Sequence, residues 1–445
     1  MNTADESGDL PRQLSLLDST MINVGSMIGS GIFIVPSAIA LYLHSTSLVL
    51  LVWVVGGIVS LFGALSVAEL GAMMPKAGGQ YVYLREAYGP LWGFLYGWAA
   101  FTVIMTAAIA AIAVGFATYL GYFIPLDESG LKIVAIASII LLTAINCLGA
   151  RAGAAAQNIF TMLKIGAFVL LVLLAFILTG GSTENFRPLL PKIPSFSTLI
   201  GPLGLAMVAV LWSYDGWIEI TYVAGEVKDP DRNMHRSLII STLLVVAIYI
   251  VINLVFVYVL SLDKMAGSPL VASDAATVLL GPTGATFITV AVIISTLGAN
   301  NGFVFTGARI YYAMAREGFF FQRLGTVNRR FRTPVASLVS QGGWSCLLVL
   351  TGTFQQLFTY VIFASWIFYA MSCGAVIILR KRSPHHYRPY RTPGYPYTPI
   401  LFILFAIGLV VNTIIESPRD AAIGAALIAA GIPAYYYWSG KRTSS

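Results

Sequence analysis

The chain has 445 residues, of which 58% are hydrophobic and only 10% charged, with a formal net charge of +7 and a mean hydropathy of +0.82. A soluble chain carries about 25% charged residues, so soluble enzymes, fibrous proteins and secreted disulfide scaffolds are excluded, and a polytopic membrane protein is left. The basic residues sit in short segments between apolar runs and form no single patch, which speaks against nucleic acid as a partner.

In chain order, a mixed-charge segment (1–18) comes first, with no pattern of a cleavable signal peptide behind it. About 20 apolar residues cross the hydrocarbon of a bilayer as a helix. On that basis twelve spans fall at 19–42, 47–74, 90–123, 131–149, 156–179, 200–225, 237–261, 284–314, 334–352, 355–380, 397–415 and 420–438, followed by a tail at 439–445. Of the 26 Lys and Arg residues, 20 lie in connections on the side of the N-terminus. Five (Lys132, Arg187, Lys192, Lys264 and Arg419) lie on the other side, and Lys164 lies within span 5. Positive charge collects on the cytoplasmic side, so both termini are expected to be cytoplasmic in a multi-pass protein of the cell membrane. The three cysteines, Cys147, Cys346 and Cys373, lie in apolar runs and offer no metal-ligand or disulfide spacing, and nothing calls for a cofactor.

Two spans carry unsuitable helix material. Span 1 contains Gly25-Ser26-Met27-Ile28-Gly29-Ser30-Gly31, and each glycine costs a helix about 1 kcal/mol relative to alanine. Close packing through small residues is the alternative reading. Span 6 contains Trp212-Ser213-Tyr214-Asp215-Gly216-Trp217-Ile218-Glu219. An Asp at the bilayer centre costs about 2.5–3.5 kcal/mol on insertion scales and normally faces a watery cavity or a partner. The irregular stretches occupy the first and sixth spans, and Gly89-Pro90 opens span 3 as Gly281-Pro282 opens span 8. This register predicts two five-helix repeats of opposite topology, 19–179 and 200–380, with the spans at 397–438 added.

A broken helix exposes N–H groups at the start of one half and C=O groups at the end of the other. The first attracts an anion and the second a cation, which suits a zwitterion. The amides around Ser30 and Gly31, with the Ser26 hydroxyl, are expected to hold a carboxylate. Carbonyls of Met27, Trp212 and Asp215 are expected to hold an ammonium. An α-amino acid satisfies both ends.

The runs GSMIGSGIF (25–33), AELGAMMPKAGGQYVYLREAYGP (68–90), YDGWIE (214–219), GEVKDPDRN (225–233), GFVFTGARIYYAMAREG (302–318) and RTPGYPYTP (391–399) resemble the amino acid–polyamine–organocation superfamily. Within it they resemble the L-amino acid transporter family, which includes the light subunits of heteromeric amino acid transporters and their bacterial relatives. The resemblance covers nearly the whole chain. It implies an all-α LeuT-like fold with spans 1 and 6 unwound, and sodium-independent exchange of amino acids by alternating access. It places Ser26, Met27, Ile28, Gly29, Ser30 and Gly31, with Ser213, at the substrate. Trp212 falls at the aromatic gate, and Asp215 matches members that accept basic amino acids. Lys164 would fill the space where sodium-coupled relatives bind sodium and would tether the first half of span 1. Snorkelling to the interface is the alternative for it. Asn300, Asn301, Ser365 and Trp366 are further candidates for the cavity lining, with interhelical bonding as the alternative. Glu69 is expected to be structural, and Glu219 either adds negative potential to the site or pairs with an Arg.

Light subunits carry a cysteine between spans 3 and 4. This chain has none there (123–130), so no covalently linked heavy subunit is expected. The expected function is exchange of neutral amino acids, with basic ones admitted through Asp215. A proton-coupled amino acid or polyamine importer of the same superfamily is the alternative. An enzyme is not expected, because the four histidines lie near span ends or in connections and no nucleophile–base pattern emerges.

Overall fold

The computed structural model describes residues 10–178, 180–187, 198–268, 270–351 and 354–443, with side chains of 354–359 and of 442–443 left out. Residues 1–9, Lys192 and the last two residues of the tail lie outside this description. Among the described residues the regular structure is all helical apart from one β-bridge, between Leu14 and Val227. Eleven helical segments are long and apolar enough to cross a membrane. The helix of span 9, Val335–Thr351, has 17 residues, the shortest length that crosses (about 17–25).

Span 1 is two helices, Leu16–Met27 and Gly31–Leu43, separated by a break at 28–30. Its start is set by a capping box. The Ser15 hydroxyl accepts from the Asp18 amide, and the Asp18 carboxylate accepts from the Ser15 amide. Span 6 runs as an α-helix over Ile200–Tyr214 and resumes as a 3₁₀ turn over Glu219–Glu226. Both interruptions fall where glycine, serine and aspartate crowd the sequence, so local propensity and the folded backbone agree.

Spans 5 (Ala150–Ile177) and 7 (Pro230–Val259) begin six or seven residues earlier than expected. Hydropathy marks the hydrocarbon layer, whereas the helical backbone continues into polar surroundings where charged side chains are solvated. Span 12 is Pro418–Ala429 followed by Gly431–Thr443.

The glycine–proline echo has a structural counterpart. Helix Gln80–Tyr88 ends at Gly89 (φ 103°), and Pro90 opens span 3. Helix Val271–Leu280 ends at Gly281 (φ 68°), and Pro282 opens span 8. An added Cβ would meet nothing within 4 Å at either glycine, so each is required for its left-handed backbone, not for space. Spans five apart also pack together: 1 with 6, 2 with 7, 3 with 8 and 4 with 9. Spans 1, 3, 6 and 8 form the buried centre, and spans 4, 5, 11 and 12 present more of their surface outward.

Candidate functional site

The break in span 1 leaves its helix-end carbonyls in need of donors, and three other spans supply them. Lys164 of span 5 is buried, and its ammonium donates to the carbonyls of Gly25 (2.9 Å), Ile28 (2.7 Å) and Ser295 (3.0 Å). Snorkelling is thereby excluded. The Ser295 hydroxyl of span 8 donates to the same Ile28 carbonyl at 3.0 Å. Tyr249 of span 7 lies 2.7 Å from the Met27 carbonyl and 2.9 Å from the Ser213 carbonyl, so one hydroxyl serves the ends of both broken helices.

On the other side of the break, the amides of Ser30, Gly31 and Ile32 open the second half of span 1 with no acceptor among the described residues. The Ser30 hydroxyl is buried and likewise without a partner. This is a helix N-terminus with its donors unused, the arrangement that attracts an anion.

Span 6 is held against this break by contact and by hydrogen bonds. At Gly31 an added Cβ would stand 2.9 Å from the Ser213 Cα, and at Gly216 (φ 104°) one would stand 2.9 Å from the Met27 amide nitrogen. Asn23 clamps the unwound segment. Its amide donates to the Trp217 carbonyl (2.8 Å) and its oxygen accepts from the Ile220 amide (2.8 Å). Gly31→Ala is therefore expected to destabilise the fold by about 1–3 kcal/mol through overpacking and to lower the thermal midpoint in detergent. Gly166→Ala, on an open surface of span 5 with nothing within 4 Å, is expected to leave the midpoint unchanged or raise it.

Between the two breaks lies a small cavity of about 20 Å³. Ligand sites hold about 300–1,000 Å³, so this one is nearly closed, and an amino acid enters it only when lining side chains move. Ser26, Met27, Gly29, Ser30, Gly31, Trp212, Ser213 and Asp215 all line it, as the sequence led us to expect. Ile112 of span 3 and Phe303 of span 8 complete the wall with apolar surface. The Asp215 carboxylate accepts from the Tyr369 hydroxyl of span 10 at 2.6 Å.

Three candidates do not line the cavity. The Ile28 side chain is packed in the core, and its carbonyl is taken by Lys164 and Ser295. Asn301 accepts from Asn146 (2.8 Å) and donates to Gln157 (2.9 Å), binding spans 4, 5 and 8 together. Ser365 is buried away from the cavity, in span 10. Asn300 and Trp366 are also buried outside the lining. The expected carbonyl acceptors are engaged as well: Met27 by Tyr249, and Trp212 by the Asp215 amide at 3.2 Å.

Glu219 accepts from the Thr306 hydroxyl and, among the described residues, pairs with no Arg. Glu69 accepts from Arg380 (2.8 and 2.5 Å) and from the Thr392 amide (2.8 Å), tying span 2 to span 10 and the connection after it. It is structural, as expected.

Asn23, Tyr249, Ser295, Ile112, Phe303 and Tyr369 were not anticipated. Asn23 had a signal, a lone amide two residues before the glycine run. The others are common residues in apolar spans, and only their neighbours in space give them a role. Among the described residues no cluster of His, Cys, Asp or Glu could hold a metal ion.

A helical membrane fold with two apposed broken helices around a small polar cavity defines a transporter of small solutes. The family model described as amino acid permease matches residues 14–437, and the chain belongs to that family. It is 32% identical over 442 residues to the serine/threonine exchanger SteT of Bacillus subtilis, covering 99% of each chain. It is 32% identical to the human b(0,+)-type amino acid transporter 1, covering 92% of this chain and 84% of that one. With the human large neutral amino acids transporter small subunit 2 it shares 33% identity over 97% of this chain and 82% of the other. It is a multi-pass membrane transporter, not an enzyme.

Proposed function

We propose that the protein exchanges L-amino acids across the cell membrane by alternating access, without sodium. The observation that carries this is the unused donor set of Ser30 and Gly31, which line one cavity together with Asp215. The amides and the Ser30 hydroxyl take the α-carboxylate, with Ser26 beside them. The α-ammonium faces Asp215 and the end of the first half of span 6, where the half-helix dipole is negative. Met27, Gly29 and Ser213 shape the space between. Trp212 closes over the substrate, and Ile112 and Phe303 limit its side chain. Neutral amino acids are favoured, and basic ones enter through Asp215.

Lys164 occupies a cage of three carbonyls, the oxygen ligand set that a sodium ion would need. The family membership and the names of the relatives support exchange over the proton-coupled alternative.

Residues 19–179 and 200–380 act as the two repeats that rock about the site, with 397–438 alongside. The segments 1–18 and 439–445 are cytoplasmic by the distribution of Lys and Arg. No heavy subunit is covalently linked, since the connection between spans 3 and 4 offers no thiol to one.

The test is uptake of radiolabelled serine and threonine into proteoliposomes. Uptake is expected to require internal amino acid and to persist when sodium is replaced by choline. Uptake into empty vesicles driven by a pH gradient would select the importer, and strict sodium dependence would remove the role given to Lys164.

A further inference from the structure

The end of span 8, the start of span 9 and the last helix converge on one side of the membrane. Between them lies a lateral groove of about 800 Å³ that shares no lining residue with the transport cavity. Its floor is apolar and buried, formed by Phe320 and Leu324. Its rim carries Arg323 and Lys441, both exposed. Trp438 closes one end, with ring centroids 5.4 Å from Phe320 and 5.3 Å from Phe321. Lys441 stands 4.5 Å above the Tyr437 ring.

Charge at this corner has one sign. The stretch 316–332 contains five arginines and a single acid, Glu317, which is already taken by Arg85 and by the Tyr81 hydroxyl. Among the described residues no acidic side chain lines the groove. Below the rim the groove continues into an apolar track on the outer face of span 9. Val339, Leu347 and Leu350 are each more than half exposed, and Gly343, with nothing within 4 Å, leaves a notch among them. These positions share one helix face.

Cationic and aromatic groups at the height of a span end, above a vertical apolar stripe, match the two parts of a phospholipid. Basic pockets between spans bind anionic headgroups, and Arg pairs with phosphate through two parallel hydrogen bonds. The geometry points to a specific site for one anionic phospholipid, its phosphate between Arg323 and Lys441 and one acyl chain along Val339, Gly343 and Leu347. The bound lipid staples the last helix to the connection between spans 8 and 9.

The experiment uses the full-length protein in mild detergent, incubated with equimolar phosphatidylglycerol and phosphatidylcholine of matched chains. Retained lipid is read by native mass spectrometry. The wild type is expected to keep about one phosphatidylglycerol per chain, favoured at least fivefold over phosphatidylcholine. Arg323→Ala combined with Lys441→Ala is expected to bring that ratio close to one. Val339→Trp, which fills the track from an exposed position and leaves the charges in place, is expected to lower retained phosphatidylglycerol at least threefold. Should the double variant misfold, Val339→Trp alone decides. Glycerol phosphate, the same head chemistry without chains, is expected not to displace the lipid. Undiminished retention in the variants, equal retention of the two lipids by the wild type, or displacement by glycerol phosphate each overturns the assignment.

Discussion

Lys164→Met is expected to cut amino acid exchange at least tenfold while leaving the protein able to insert. The ammonium donates to three carbonyls from two spans, and the Gly25 carbonyl depends on it alone among the described side-chain donors. Leaving a buried carbonyl unsatisfied costs about 1–3 kcal/mol, and 1.4 kcal/mol is a factor of ten in an equilibrium. The penalty falls on the geometry that holds the break of span 1 open toward the cavity, so the binding-competent population is what shrinks. The Ile28 carbonyl keeps its bond from Ser295, which limits the loss of fold stability to a modest drop in thermal midpoint. Lys164→Arg is not expected to rescue exchange, because a planar guanidinium cannot point three donors into a cage built for a compact ammonium. Counterflow in proteoliposomes measures the outcome, and wild-type exchange by Lys164→Met would falsify the anchoring role.

The largest effect on stability is expected from Glu226→Ala. Glu226 and Arg309 have no exposed side-chain surface and meet at 2.8 Å, and Arg309 also donates to the Phe305 carbonyl and lies 4.1 Å from the Phe305 ring. Removing one partner of a buried pair costs about 3–5 kcal/mol, because the remaining charge is stranded. Domains have only about 5–15 kcal/mol in hand, so Glu226→Ala is expected to yield little monodisperse protein in size-exclusion chromatography. Glu226→Gln with Arg309→Met, which removes both charges at similar volume, is expected to recover much of the yield. If Glu226→Ala elutes as the wild type does, the pair is not what holds the second half of span 6 to span 8. The same residue has a second duty: its carbonyl accepts from the amides of Gln13 and Leu14 (2.8 and 2.9 Å), so the segment before span 1 is pinned beneath the site.

Much of the transport site was legible before any coordinates. Glycine and serine in 25–31 and the Asp–Gly pair in span 6 are poor helix formers, and the backbone breaks at both. Eight of the eleven residues expected at the substrate line the cavity, all of them within or next to those breaks. Asn301 shows why polarity alone misleads: a buried polar group needs a partner wherever it lies, and Asn301 meets Asn146 and Gln157 instead of the cavity. Polarity says that a group must be satisfied; it does not say by what.

The amino-acid sequence by itself determined the membrane class, the number of crossings and the two places where helices unwind. Each of these follows from short-range chemistry: the cost of a backbone amide in hydrocarbon and the cost of glycine in a helix. Tertiary structure alone decided which groups close the breaks and which remain open. Tyr249, 222 residues from Met27 along the chain, and Lys164, 139 from Gly25, reach their carbonyls only because spans 5 and 7 pack on the first half of span 1. The amides of Ser30, Gly31 and Ile32 stay unused because, among the described residues, no acceptor is placed to receive them. That difference between satisfied and unsatisfied backbone is a property of neighbours in space, and no local pattern encodes it.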